Sequence, residues 1–345
     1  MLKSLSWDLR KKVRGEAETS FQQNRSLFAE VSSNLIDKVE GIMKHKFGKV
    51  AVLCGGLSAE RDVSLHSGQN VFEALKQKGV DAHLIDVQAD ILSRLIEGTF
   101  DRAFVIVHGQ GAEDGVLLGA LQTLGLPYTG CDVAASAFAM DKVRSKWIFQ
   151  ALQLPTAPFE VVSHESQLSS VLKKISLPLC VKPAKDGSSN GVSKVMAEHE
   201  LINAFGKANR YSKEVIIEPW IQGKEFTVAM LNGQTFPPVE IRVVKGFYDY
   251  EAKYESDATE YLCPCQLTST EEKQIRQLTL DACRALGCEG WSRVDFIRDE
   301  AGKFWLLEVN TIPGMTSHSL VPKAAKAAGI DFDDLVIRVL ETSLK

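Results

Sequence analysis

The chain has 345 residues, 45% apolar and 24% charged, the proportions of an ordinary soluble protein with room for two or three domains. Its formal net charge of -4 offers no case for nucleic acid or an anionic membrane as partner. Seven scattered cysteines show neither a disulfide framework nor a zinc-type CxxC pair, which points to a reduced, cytoplasmic setting. No apolar run approaches the roughly 20 residues that span a bilayer, and the start lacks an apolar signal core. That start is basic, through Lys3, Arg10, Lys11, Lys12 and Arg14, and Phe28, Val31, Leu35, Val39 and Ile42 follow at helical spacing. Residues 1–47 therefore read as an extension with an amphipathic helix packed on the body or on a partner; Asp8 and Glu16 argue against a transit peptide.

From Gly48 strands alternate with helices. The run VAVLCGG precedes a helix ending near Gly79. A strand at Ala82 to Val87, a helix to Glu97, the strand AFVIVHGQG, a helix through Leu124 and a short strand at Tyr128 follow. The pattern predicts an α/β domain over 48–140 with a doubly wound parallel sheet, whose ligands bind outside the carboxyl ends of its strands. Glu60 lies in the polar cluster after the first strand, and His108 with Gly109 and Gly111 after the third. HGQGAEDG is not a dinucleotide fingerprint, its third glycine coming one residue late, so a nicotinamide enzyme is disfavoured. Taken singly, Glu60 suits a first-turn acid complementing its helix, and His108 a satisfied strand-end residue.

A second sector, 141–224, opens with a helix from Asp141 to Leu152 and carries the strand PLCVKP into the loop AKDGSSNGV. Backbone N–H groups and hydroxyls of such a loop, with Lys182 beside them, suit phosphate binding without a Walker A pattern. Alone, the segment equally suits a plain hairpin turn. Two strands follow, each carrying an acid, Glu218 and Glu225. The tyrosine-rich stretch 246–257 is long and polar, as active-site covers often are. A helix from Ser269 to Leu286 leads into the most informative stretch, Trp291 to Leu320, and helices from His318 close the third sector, 225–345.

That stretch reads as a hairpin around Asp299 to Lys303. Centred on Ala301-Gly302, it sets Asp295 opposite Glu308 and Arg293 opposite Asn310, all projecting from one face. Two carboxylates and an amide, with no His or Cys beside them, form an oxygen set suited to Mg²⁺ or Mn²⁺. The bland alternative is a solvated polar face.

The order of motifs resembles the D-alanine:D-alanine ligase family of ATP-grasp enzymes from about Gly48 to the end. The matching runs are GGLSAERDVSLHSG, HGQGAEDG, LPYTG, MDKVRSK, VKPAKDGSSNGVSKV, IIEPWIQGKEFTVA, YDYEAKYESD, GWSRVDF and LEVNTIPGMTSHSLVP. The resemblance implies a two-part ATP-grasp module behind the first domain, and ligation of two D-alanines through an acyl phosphate for peptidoglycan synthesis. It implies ATP with two Mg²⁺, or Mn²⁺, and a cytoplasmic homodimer. By resemblance, Lys142, Lys182 and Lys253 hold ATP phosphates, Glu218 and Glu225 the adenine and ribose, and Asp295, Glu308 and Asn310 the metal ions. Glu60, Ser188 and Tyr254 match a hydrogen-bonded trio that orients the first D-alanine and the cover. Arg293 and Gly314 match groups facing the tetrahedral carbon, Ser319 and Leu320 the seat of the second carboxylate, and His108 a neighbour of the first substrate. A D-alanine:D-lactate ligase, or another ATP-grasp carboxylate–amine ligase, is the alternative; Tyr254, where D-lactate relatives can carry Phe or His, favours the dipeptide.

Overall fold

The computed structural model describes residue 25 and residues 41–43, 45–187, 189–243 and 259–344. The N-terminal amphipathic helix therefore lies mostly outside the described residues; of its apolar series only Ile42 is described, and it is exposed. Ser188, Lys253, Tyr254 and the whole 246–257 cover also lie outside them.

The first layer is a parallel sheet, as the alternation of strands and helices requires. β1 (Lys49–Gly55) is followed by α1 (Arg61–Gln77), β2 (Asp81–Val87), α2 (Ile91–Gly98) and β3 (Arg102–Val105), with the strands in the order β2-β1-β3. Tyr128 adds a parallel bridge to Ala103 at the edge. The third strand is shorter than expected from AFVIVHGQG: it stops at Val105, and His108 stands in the segment beyond its carboxyl end. Three helices then cross to the next layer, α3 (Val116–Thr123), α4 (Val133–Met140) and α5 (Lys142–Ala151). Asp132 and Asp141 cap α4 and α5 by accepting the N–H groups of Ala135 and Arg144.

The second layer is an antiparallel sheet, β4-β7-β5-β6, built from β4 (Glu160–Val162), β5 (Leu179–Pro183), β6 (Ser193–Val195) and β7 (Val215–Pro219). α6 (Leu168–Val171) and α7 (Leu201–Asn209) cover one face. Alternation sorts the side chains: Leu179, Val181, Val215 and Ile217 enter that core, and Cys180, Lys182 and Glu218 go to the opposite face.

The third layer contains β8 (Gly223–Leu231), β9 (Gln234–Thr235), β10 (Val239–Arg242), β11 (Glu260–Leu262), β12 (Trp291–Asp299) and β13 (Phe304–Asn310), in the order β11-β10-β8-β12-β13 with β9 paired to β8. Preceding β12, α8 (Ser269–Leu286) has the expected bounds. Thr268 and Glu271 form a reciprocal capping box at its start, and Gly287 ends it in the left-handed region. Phe226, Val228, Val294, Phe296, Phe304 and Leu306 pack on the α8 side. The chain then returns through α9 (Leu320–Ala327), against β8, and α10 (Phe332–Glu341), against α1, so one core joins the first sheet to Trp291, Leu335 and Val339.

The register of β12 against β13 positions the site. Arg293 faces Asn310 and Asp295 faces Glu308, as expected, but the turn is centred on Ala301 alone rather than on Ala301-Gly302, so the pairing next to it is one residue out of the expected register: Arg298 pairs Phe304 and Phe296 pairs Leu306. A bulge between these blocks makes up the difference. Leu306 and Val309 keep to the core while Leu307 and Glu308, successive residues, both face the cavity.

Phe304 forms edge-to-face pairs with Phe226 and Phe296, centroids 6.0 and 6.4 Å apart, behind this register. Phe304→Ala is expected to cost about 3–5 kcal/mol of stability. Chemical denaturation checks it; a loss below about 1 kcal/mol would show that the aromatic cluster does not hold the hairpin.

Candidate functional site

The polar faces of the second and third layers oppose each other across a cavity of about 420 Å³. Its walls include Cys180, Pro183, Val192, Trp220, Ile221, Ile241, Phe296, Ile297 and Leu307, flat apolar surface of the kind a purine ring fills. Lys142, Lys182, Glu218, Glu225, Asp295 and Glu308 supply its charge. Lys142 reaches it because the first N–H of α5 bonds the carbonyl of Ala184, seating the helix start against the 184–190 loop. The Lys142 ammonium donates to the Asp186 carbonyl at 2.7 Å and pairs with Glu308 at 3.0 Å.

Glu218 is bound more tightly than a free nucleotide-reading acid. Lys182 lies 2.5 Å from one carboxylate oxygen and Lys146 2.8 Å from the other. Burial alone would raise Glu218, but the two ammonium groups hold it at about 2. Burial would likewise lower Lys182, and Glu218 keeps it above its ordinary value. Sequence reasoning missed Lys146, although it stands four residues after Lys142 on one helix, in the same MDKVRSK run.

On β12, Arg293 donates to both oxygens of Asp295, at 2.9 and 2.8 Å. Thr227 donates to Asp295 at 2.6 Å and the Asn310 amide at 3.0 Å. Each of the two expected metal-binding carboxylates thus has a cation among its partners: Arg293 on Asp295 and Lys142 on Glu308. Two carboxylates and an amide oxygen on adjacent strands, already compensated by positive charge, fit a hard divalent cation.

A smaller cavity of about 80 Å³ joins the first along β13, with Glu308 and Gly187 bordering both. Into it come Glu60, His108, Arg293, Gly314, Ser319 and Leu320, residues spread over the chain that the resemblance assigned to the substrates and the reacting carbon, together with Asn310, which was assigned to the metal. Glu60 occupies the cap position of α1 without a side-chain capping bond. A Cβ at Gly109, whose φ is +74°, would lie 2.9 Å from its carboxylate, and one at Gly187 3.0 Å. Two glycines thus let the first sheet and the 184–190 loop close on Glu60. His108 is buried, with Nδ1 2.9 Å from the Ile312 carbonyl; burial lowers it to about 4, so the ring is neutral at neutral pH. The Ser319 hydroxyl accepts from the Thr316 N–H at 2.9 Å rather than capping α9, and the N-terminus of that helix, at Ser319 and Leu320, borders the cavity.

Glu113, from HGQGAEDG, was not singled out from sequence. It borders this cavity and accepts the Gly109 N–H at 2.9 Å. Burial, and then the charge of Glu60, push it up to about 8. Its signal was its place in a motif already noticed for His108.

The chain matches a family model described as "D-ala D-ala ligase C-terminus" over residues 148–341. It is 50% identical over 309 residues to the D-alanine–D-alanine ligase of Pseudomonas entomophila, covering 89% of this chain and 97% of that protein. Among solved structures it resembles the D-alanine–D-alanine ligase from Bacillus anthracis complexed with ATP, with a TM-score of 0.76 and 31% identity over 86% of this chain and 97% of that one. The VanG D-Ala:D-Ser ligase of Enterococcus faecalis gives the same TM-score at 29% identity, covering 86% of this chain and 99% of that one.

The raised Glu113 carboxyl has a consequence for stability. Because its folded value, about 8, exceeds the ordinary carboxylate value, its favourable contribution is full below the unfolded value and is lost as pH rises through about 8. Glu113→Gln should remove that loss, so that its stability advantage over the parent grows from pH 5 to pH 9. Denaturation midpoints across that range test it; a constant difference would mean that Glu113 is ionised throughout.

Proposed function

The chain belongs to the D-alanine–D-alanine ligase family and is an ATP-using enzyme that joins two D-alanines; we propose that the larger cavity takes ATP, the smaller takes the D-alanines, and the reaction runs through an acyl phosphate. The observation that carries this reading is the shared wall. Glu308 borders both cavities, so the phosphate end of a nucleotide in one meets the carboxylate of an amino acid in the other.

Lys142, Lys182 and Lys253 hold the phosphates, while Glu218 and Glu225 bind the adenine and ribose. Asp295, Glu308 and Asn310 hold Mg²⁺ or Mn²⁺, two ions in the full site, which when bound offset phosphate charge and draw electron density from the γ-phosphorus. Lys142 and Arg293, paired with those carboxylates, stand where they would reach the phosphates and the reacting carbonyl. In the small cavity, Glu60 draws in the ammonium of the first D-alanine, and Glu113 and His108, both neutral at neutral pH, pack beside it without adding a competing charge. The carboxylate of that D-alanine attacks the γ-phosphate and ADP departs. The second D-alanine, held through its carboxylate by Ser319 and Leu320 at the start of α9, directs its amine at the acyl carbon. Arg293 and the Gly314 backbone stabilise the developing oxyanion, Arg293 by fixed charge without proton transfer. Phosphate leaves and D-alanyl-D-alanine remains, a building block for peptidoglycan.

Ser188 and Tyr254, linked to Glu60, close the 246–257 cover over the acyl phosphate and exclude water. Residues 48–140, 141–224 and 225–345 act as the substrate domain and the two halves of the nucleotide clamp, behind an N-terminal extension, 1–47. No described helix is long and apolar enough to cross a membrane, and we place the enzyme in the cytoplasm as a homodimer.

Asp295→Asn and Glu308→Gln each weaken metal binding without unfolding the chain, and dipeptide synthesis at millimolar Mg²⁺ should fall at least about a hundredfold, since a buried charge partner is lost at the reacting phosphate. Undiminished turnover by either variant would remove these residues from the metal site. Tyr254→Phe should leave ATP binding unchanged and slow ligation roughly tenfold or more, the equivalent of one charge-assisted hydrogen bond, while D-lactate competes better as acceptor. An unaltered D-alanine to D-lactate ratio and rate would show that the cover does not gate the acceptor.

A further inference from the structure

Lys146 is 1% exposed, which costs a lysine much of its hydration and calls for a specific reason. Its ammonium is fully engaged by protein groups. It pairs with Glu218 at 2.8 Å, donates to the Thr156 hydroxyl at 2.6 Å and stands 5.0 Å over the ring of Phe159. Thr156 in turn donates to the carbonyl of Leu306 on β13, at 3.3 Å, so the ammonium is anchored to the third layer while it holds an acid of the second. Lys182 and Glu218 line the nucleotide cavity, whereas Lys146 is buried behind them.

One lysine suffices to neutralise one carboxylate, and this knot has two. With Lys146 and Lys182 both paired to Glu218, it carries one positive charge more than it needs, and the member of the pair that lines the cavity is Lys182. We propose that Lys146 is a positioning residue for nucleotide phosphate: it neutralises Glu218 from behind and so leaves the charge of Lys182 available to the phosphate chain. Without it, Glu218 would claim Lys182 for itself, and the cavity wall facing the phosphates would be neutral. Lys146 never touches the nucleotide and acts through Lys182 alone. This rests on the reading of the larger cavity as the ATP site.

Binding of ADP and of adenosine, each measured by calorimetry on the full chain with Mg²⁺ present, separates the two assignments. Lys146→Met and Lys146→Gln remove the charge but leave the Lys182–Glu218 pair, which keeps the second layer neutral and folded; circular dichroism verifies this for each. Both variants should bind adenosine within about threefold of the parent and ADP at least about tenfold more weakly, the loss expected for one charge-assisted contact. Lys146→Arg, which retains the charge, should recover part of the ADP affinity. Equal losses for ADP and adenosine, or no loss for ADP, would overturn the proposal and leave Lys146 a purely structural lysine. Failure of the parent itself to bind ADP would instead overturn the assignment of the cavity.

Discussion

Everything at this site depends on the register between β12 and β13. A hairpin that carries acids on one face can aim two of them at the same point only if they are opposite each other, and Asp295 and Glu308 are. The pairing is not inherited from the turn. It is created by the bulge, which puts Leu307 and Glu308 on the cavity side in succession; without it Glu308 would point into the aromatic core occupied by Phe296, Phe304 and Leu306. A one-residue slip would therefore exchange the whole polar set for apolar side chains. The core of phenylalanines behind the hairpin makes that slip costly.

Charge is balanced around this wall in a manner suited to exchange. Arg293 sits on Asp295, Lys142 on Glu308, and Lys146 with Lys182 on Glu218. Each of these carboxylates thus faces at least one cationic side chain. Such pairs contribute little to stability by themselves, because desolvation offsets their attraction.

Much of this was legible in the sequence because it is carried by local patterns. The strands carrying Lys182 and Glu218 were expected, the capped run from Ser269 to Leu286 formed the helix expected, and the opposition of Asp295 to Glu308 followed from a turn near Gly302. The opposition was obtained from a turn whose pairing register is one residue off, which the bulge compensated; bulges leave no period in the sequence. Lys146 and Glu113 escaped for a different reason. A buried lysine on a mixed helix reads as solvated, and a second acid in an acidic loop reads as surface, because burial and the distance to Glu218 or Glu60 are set by residues far along the chain. The convergence of Glu60, His108, Arg293 and Ser319 on one cavity likewise follows from packing of separate layers, and only the resemblance to a family could name those residues together beforehand.

The central claim is that the two adjoining cavities couple ATP cleavage to the joining of two D-amino acids. The most direct measurement is ADP release by the full chain with Mg²⁺ and ATP, with product identified by mass spectrometry, in the presence of D-alanine, L-alanine, or D-alanine with D-lactate. The account predicts ADP released one for one with D-alanyl-D-alanine, none with L-alanine, and dipeptide as the dominant product when D-lactate competes. ADP released without dipeptide, or equal turnover of L-alanine, would contradict it.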